Sequence, residues 1–182
     1  MTREGSVERS ACPAGTGGAL PPVEVLTRSA EETAGVGRRL AALLRAGDVV
    51  VLAGELGAGK TTLAQGLGDG LGVRGSVTSP TFVIFRVHPA QQPGEPSLVH
   101  VDAYRLAGGA QLDDLDLDAY VDEAVTVVEW GDRVAEALSA DRLRVHLTRG
   151  GGLDADDDAR LITVTAVGAR WLGVPLRSAL GL

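Results

Sequence analysis

A glycine-rich loop between a strand and a helix constrains the fold of this chain more than any other feature. The segment DVVVLAG at 48–54 is largely an unbroken run of apolar, β-branched residues, which is typical of a strand covered on both faces. The loop GELGAGKTT at 54–62 follows, and TTLAQGLGDGLG at 61–72 then indicates a helix. The loop matches the pattern G-x-x-x-x-G-K-[ST], which binds phosphate at such a strand–helix junction.

The backbone of this loop is expected to bind the phosphates of a nucleotide. Glycine carries no side chain, so successive N–H groups can converge on phosphate oxygens, and the new helix adds its positive dipole end. The predicted nucleotide-binding residues of the loop are Gly54, Glu55, Leu56, Gly57, Ala58 and Gly59.

Three side chains after the glycines complete the predicted phosphate site. Lys60 is the only lysine among 17 basic residues, and its compact ammonium would reach the β- and γ-phosphates. The Thr61 hydroxyl would bind Mg²⁺, and Thr62 would contact the α-phosphate. The expected ligand is a nucleoside triphosphate with magnesium.

Two acidic residues directly follow apolar runs further along the chain. These are Asp102 and Glu129. The carboxyl ends of strands in an open α/β sheet converge on the ligand crevice, so both should lie near the loop. A phosphoryl-transfer site needs a carboxylate to hold the metal and a group to position the nucleophile. With Lys60, both are therefore predicted to be catalytic, and with Thr61 they are candidate metal ligands.

Several neighbouring residues allow more than one interpretation. Trp130 could wall the nucleotide pocket or simply pack in the core. Arg105 and Arg133 could offset γ-phosphate charge, although an ion pair with a nearby aspartate is the commoner role. The histidines have no metal-ligand spacing and are interpreted as structural: His88, His100 and His146. The acidic stretch at 110–122 is interpreted as a solvated helix face.

Length and composition indicate one globular domain. The chain has 182 residues, of which 45% are apolar and 3% aromatic. Residues 1–21 lack apolar periodicity and are predicted to be a disordered tail, which leaves 22–182 as the domain. A net charge of −7 disfavours direct binding to nucleic acid over a broad face. A lone cysteine, Cys12, and the lack of a membrane-length apolar run indicate a soluble, cytoplasmic protein.

The periodicity of the remaining segments predicts an α/β fold of three layers with a mixed sheet of about seven strands. The predicted strands cover 23–27, 48–54, 81–88, 98–102, 124–129, 142–148 and 160–167. The predicted helices cover 29–44, 61–72, 110–122 and 132–138, and the first begins with a capping box of Ser29 and Glu32.

Four strings occur together in a characteristic order and spacing. They are GELGAGKTT at 54–62, VTSPTF at 77–82, HVDAYRL at 100–106 and VVEWGDR at 127–133. Together they resemble the TsaE (YjeE-like) family, the small bacterial ATPases of tRNA threonylcarbamoyladenosine biosynthesis. The resemblance runs from about 29 to about 147. It implies a P-loop NTPase fold, binding of ATP and Mg²⁺, and weak hydrolysis by the protein alone.

The resemblance also implies roles for individual residues. Lys60 and Thr61 would hold phosphate and metal, Asp102 would belong to the metal shell, and Glu129 would be the acidic residue needed for hydrolysis. Thr33 matches a family position associated with the nucleotide. A switch-type loop near the γ-phosphate would comprise Ser79, Pro80 and Thr81.

The partners that the resemblance implies are the TsaB and TsaD proteins. ATP turnover by this chain would reset the complex of these two proteins between cycles. An acidic chain with few aromatics fits a protein that reaches tRNA only through such partners. Two alternatives remain. A P-loop kinase of a small metabolite would use the same loop, but no arginine-rich lid is visible. A nucleotide-gated binding module that seldom turns over would use the same residues.

Overall fold

The computed structural model describes residues 18–80, 84–105, 122–131, 139–150 and 158–182. Within these ranges one mixed sheet has the strand order β1-β7-β6-β2-β5-β4-β3. The strands are β1 (Val23–Thr27), β2 (Val49–Gly54), β3 (Phe85–His88), β4 (Ser97–Asp102), β5 (Ala124–Glu129), β6 (Arg142–Arg149) and β7 (Arg160–Val167). The predicted α/β fold with a mixed, seven-stranded sheet is confirmed.

Strand β2 lies at the centre of the sheet and carries the loop. It pairs in parallel with β5 on one side and with β6 on the other. Strand β4 pairs in parallel with β5, while the outer pairs of the sheet are antiparallel. The carboxyl ends of β2, β4 and β5 therefore meet at one edge of the sheet, as the sequence predicts.

Helices α1 (Ala30–Ala41) and α2 (Lys60–Leu71) pack against each other and against one face of the sheet. Alternating residues of β2 divide between the two faces: Val50 and Leu52 join the core under the helices, whereas Val49 and Val51 form a separate cluster. All four are at most 1% exposed. This confirms that the strand is buried on both faces.

The first helix begins as predicted but ends earlier. The Ser29 hydroxyl accepts a 3.1 Å hydrogen bond from the Glu32 N–H and caps the N-terminus. The predicted extension to Leu44 is wrong, because the helix ends at Ala41. The N–H groups of Leu43 and Leu44 bond to carbonyls three residues back, which tightens the chain into a turn.

The C-terminal segment contains two short elements that the sequence pattern did not predict. They are a 3₁₀ turn (Ala169–Trp171) and the short helix α3 (Leu176–Ala179). Trp171 is only 1% exposed and belongs to the core under the helices. At the other end of the chain, Ala19 already pairs with Val167, close to the predicted boundary between tail and domain.

Some predicted features lie outside the described residues. These are residues 1–17 of the predicted tail, the start of the predicted strand at 81–88 over 81–83, and the predicted helices at 110–122 (apart from residue 122) and 132–138. Across the described ranges, no helix combines the length and apolarity needed to cross a membrane.

Candidate functional site

The loop of residues 54–59 connects the C-terminal end of β2 to the N-terminus of α2. Gly59 caps α2 with a φ of 102° and has no side chain to hydrogen-bond to the first N–H groups of the helix. That turn also contains no acidic residue. The first N–H groups of a helix have no partner within it, so this terminus is suited to bind an anion.

Gly54 shows why the loop needs glycine. Its φ is 134°, a conformation that residues with a side chain rarely adopt. A Cβ atom at this position would clash with the backbone carbonyl of Leu147 on β6. The loop can therefore pass close to β6 only because residue 54 has no side chain.

Lys60 is buried at the first position of α2, 4% exposed. Its Nζ donates hydrogen bonds of 2.9 Å to the carbonyl oxygens of Gly54 and Glu55. The same Nζ lies 3.7 Å from the centroid of the Trp130 ring. Burial lowers the pKa of the Lys60 ammonium, and the negative charges of Glu129 and Asp102 partly offset that effect.

Thr61 and Glu129 are joined directly across the cleft between α2 and β5. The Thr61 hydroxyl lies 3.0 Å from Oε1 and 3.3 Å from Oε2 of Glu129. Nε2 of His100 lies 3.0 Å from the same Oε1. Glu129 is 3% exposed and His100 is fully buried. The carboxylate is therefore held from two sides.

Asp102 lies at the end of β4, directly opposite Glu129 in the register of the two parallel strands. Its Oδ1 accepts a 3.1 Å hydrogen bond from the N–H of Tyr104, which fixes the turn after the strand. The carboxyl group is half-buried and faces the same cleft as Glu129. The two predicted carboxylates are thus brought together beside the loop.

A cleft of about 610 Å³ contains most of the predicted site. That volume is within the usual range for a small-molecule site, about 300–1,000 Å³. The residues singled out from the sequence that line this cleft are Leu56, Gly57, Gly59, Lys60, Thr61, Thr62, Ser79, Asp102, Glu129 and Trp130. Tyr104, which the sequence did not single out, also lines it.

Trp130 lines this cleft, so the structure favours the pocket-wall interpretation over simple core packing. Its φ of 62° makes it the one non-glycine residue with a positive φ among the described residues. Tyr104 meets its ring edge to face, with 5.3 Å between the ring centroids. Backbone strain of this kind costs about 1–3 kcal/mol and is concentrated at functional sites.

Thr33 does not line the cleft that contains Asp102 and Glu129. It lines a smaller depression of about 100 Å³ together with Gly57, Gly59 and Thr62. The Thr33 hydroxyl is buried and is 2.9 Å from the Thr27 hydroxyl. The Thr33 hydroxyl is thus bound to β1, and its predicted contact with the nucleotide stays a prediction.

Other candidate residues are placed less centrally. Ala58 is buried, and its N–H donates to the carbonyl of Glu55 at 3.1 Å. Pro80 is buried beside Ser79. His88 is buried, while His146 is exposed on β6. Three of the candidates lie outside what the structure describes: Thr81, Arg133 and the side chain of Arg105.

His100 and Tyr104 are the contributions to the site that the sequence interpretation missed. The signal for His100 was present in the string HVD, since residues two apart on a strand share one face. His100 therefore faces the same side of β4 as Asp102. No comparable signal marked Tyr104, because its ring reaches Trp130 through the turn that follows β4.

The mixed sheet, the glycine-rich loop after its central strand and the carboxylates at the neighbouring strand ends define a protein with the P-loop NTPase fold. Residues 27–155 match the family model described as "Threonylcarbamoyl adenosine biosynthesis protein TsaE". The chain belongs to the TsaE family.

Individual relatives agree with this assignment. The chain is 62% identical to the tRNA threonylcarbamoyladenosine biosynthesis protein TsaE of Streptomyces coelicolor over 137 residues, 75% of this chain and 91% of the relative. It is 40% identical to the protein of that name from Bacillus subtilis over 146 residues, 80% and 86% of the two chains. The crystal structure of YdiB from Bacillus subtilis superposes with a TM-score of 0.68 at 35% identity, covering 88% of this chain and 95% of that one.

Proposed function

We propose that this chain binds ATP with Mg²⁺ in the cleft and hydrolyses it, as the TsaE component of tRNA threonylcarbamoyladenosine biosynthesis in the cytoplasm. The observation that carries the proposal is the convergence of three groups at the N-terminus of α2. They are the ammonium of Lys60, the hydroxyl of Thr61 and the carboxylate of Glu129. A cation, a hydroxyl and a carboxylate in this arrangement are what phosphoryl transfer requires.

The phosphates would be bound by the loop and the residues that follow it. The N–H groups at the start of α2 would donate to phosphate oxygens, aided by the helix dipole. Burial lowers the pKa of Lys60, and the nearby carboxylates Glu129 and Asp102 oppose that effect by favouring the charged ammonium. Thr62 also lines the cleft and would contact the α-phosphate.

The oxygen donors beside the loop fit Mg²⁺. Thr61, Asp102 and Glu129 supply hydroxyl and carboxylate oxygens, which this hard cation prefers. No group of three or more His, Cys, Asp or Glu side chains suited to a metal is found in the described ranges. Magnesium commonly takes one or two protein carboxylates and completes its shell with phosphate and water. The metal would neutralise negative charge on the phosphate oxygens.

The openness of the cleft supports slow hydrolysis by the protein alone. Leu56 and Tyr104 both line the cleft and are 86% and 70% exposed, so its rim is open to water. A partner covering this rim would exclude water and strengthen the electrostatic interactions within the cleft.

The partner that we propose is the TsaB–TsaD complex. The family assignment supports it, since the relatives are named for the same biosynthetic process. The net charge of −7 also supports it, because an acidic protein is poorly suited to bind tRNA directly. In this proposal the tRNA is bound by the partners, and this chain supplies ATP turnover.

Measurement of phosphate release tests the proposal directly. The full chain is incubated with ATP and Mg²⁺, with and without the TsaB–TsaD complex, and Lys60→Ala is the control for contaminating ATPase. We expect slow release by the chain alone and clear stimulation by the complex. Absence of stimulation together with absence of association under any nucleotide condition would exclude the partner. Transfer of the γ-phosphate to a small metabolite would favour a kinase instead.

A further inference from the structure

His100 is the one buried histidine that contacts the candidate site within the described part of the chain. It lies in the middle of β4 with no exposed surface. Alternation along β4 places His100 on the same face as Asp102. The register pairs Asp102 with Glu129, and this brings His100 diagonally across from the Glu129 carboxylate. The separation of Nε2 and Oε1 is 3.0 Å, a normal hydrogen-bond distance.

The direction of this hydrogen bond follows from the groups involved. An ionised carboxylate has only acceptor oxygens, so the hydrogen lies on Nε2 of His100. A neutral imidazole then carries no hydrogen on Nδ1, and that buried atom has no hydrogen-bond partner. A buried polar atom without a partner is destabilising.

We infer that His100 is a positioning residue: its Nε2–H fixes the Glu129 carboxylate beside the Thr61 hydroxyl, as productive binding of a magnesium nucleotide requires. Oε1 of Glu129 lies 3.0 Å from both the His100 nitrogen and the Thr61 hydroxyl oxygen. A glutamate has several rotatable bonds, and two fixed contacts on one oxygen restrict them. The inference rests on the proposed function of Glu129 and adds the group that orients it.

Partners that orient the carboxylate ligand of a metal have a measurable effect. Removing such a partner typically lowers metal affinity or activity by about tenfold to a hundredfold. We expect an effect of this size when His100 is replaced. The loss should appear in the rate of phosphate release and in the Mg²⁺ dependence. It should not appear in magnesium-free nucleotide binding, because the loop and Lys60 do not contact His100 through any described hydrogen bond.

Four variants of the full chain test this inference. His100→Leu removes the donor, and His100→Gln places an amide N–H where Nε2 lies. His100→Asn keeps a polar side chain that is too short to reach Glu129. His88→Leu is the matched control, because His88 is also buried, lies on the adjacent strand β3 and makes no side-chain hydrogen bond to the site in the described structure.

We expect His100→Leu and His100→Asn to lower kcat for phosphate release by about tenfold or more. KM for ATP should change less than threefold, and the Mg²⁺ concentration for half-maximal rate should rise. His100→Gln should stay within about threefold of the unaltered chain, and His88→Leu should match it. These expectations separate positioning from a general effect of core disruption, which thermal unfolding of each variant measures in parallel.

Two results would overturn the inference. One is equal impairment in His100→Gln and His100→Asn, and the other is a normal rate in His100→Leu. If the unaltered chain releases no phosphate, the proposed function fails by itself. The positioning role is then decided by calorimetry of ATP binding with and without Mg²⁺: loss of the magnesium effect in His100→Asn but not in His100→Gln supports it, and equal magnesium effects in the two variants reject it.

Discussion

The ammonium of Lys60 lies 3.7 Å from the centre of the Trp130 ring while donating two hydrogen bonds to carbonyl oxygens of its own loop. The electron-rich face of an indole attracts a cation, so the ring and the carbonyls hold the charge in one place. These contacts fix the only lysine of the chain at the N-terminus of α2. This arrangement ties the loop to the end of β5, where Glu129 lies one residue before Trp130.

Lys60→Ala should weaken the binding of ATP strongly. The ammonium would form at least two charge-assisted hydrogen bonds to phosphate oxygens, each worth about 1.5 kcal/mol or more, so affinity should fall by about a hundredfold. Isothermal titration calorimetry measures the change. Lys60→Arg keeps the charge but alters its geometry, and should bind more weakly than the unaltered chain. Unchanged affinity in Lys60→Ala would remove the assignment of the phosphate site.

Glu129→Ala should slow phosphate release more than it weakens ATP binding. Loss of a group that acts on the reacting atoms typically costs about a hundredfold or more in rate. The loop and Lys60 remain intact, so we expect affinity to fall less than about tenfold. Glu95→Ala is the control, since Glu95 is exposed in the turn before β4. A normal rate in Glu129→Ala would contradict the role of this carboxylate.

Replacement of Trp130 should reveal its backbone strain. At a φ of 62°, alanine keeps the left-handed conformation at a cost of about 1 kcal/mol, whereas glycine adopts it freely. Both variants lose the ring contacts with Lys60 and Tyr104. Trp130→Gly should therefore be more stable than Trp130→Ala by about 0.5–1 kcal/mol in urea unfolding. The opposite order would show that the strain is relieved elsewhere.

The free energy of unfolding should decrease in mild acid because of the buried His88. Burial, with His100 and Arg86 nearby, lowers the pKa of His88 below its usual 6.5. As the pH falls below 6.5, the unfolded chain binds a proton that the folded chain does not, so the free energy of unfolding decreases. His88→Gln should lose less stability than the unaltered chain between about pH 7 and pH 5. Equal losses in urea unfolding at the two pH values would contradict this.

The ion pair of Asp48 and Arg170 should stabilise the fold without affecting the site. Arg170 donates to both carboxylate oxygens of Asp48, at 3.0 and 2.9 Å, and to the carbonyl of Leu43. Asp48 is 5% exposed, so Arg170→Ala would leave a buried charge without its partner and cost about 3 kcal/mol or more. Chemical denaturation measures the loss. ATP affinity by calorimetry should stay within twofold, and a larger change would couple this pair to the site.

The sequence predicted the part of the site that depends on local pattern. The run at 48–54 and the glycine spacing after it indicate a strand, a tight loop and a helix in that order from local pattern alone. A general rule of α/β sheets then placed Asp102 and Glu129 at the same edge. The structure bears this out, since the two are opposite each other on neighbouring parallel strands.

The tertiary structure decided the contacts that depend on register and on distant segments. The hydrogen bond from His100 to Glu129 joins residues 29 positions apart, and it exists only because β4 and β5 pair in one particular register. The packing of Trp171 and the ion pair of Arg170 join the C-terminus to the core in the same way. Local periodicity describes which face of an element is apolar, but not which residue of another element it meets. That choice is made by the packing free energy of the whole domain, summed over pairings far apart in the chain.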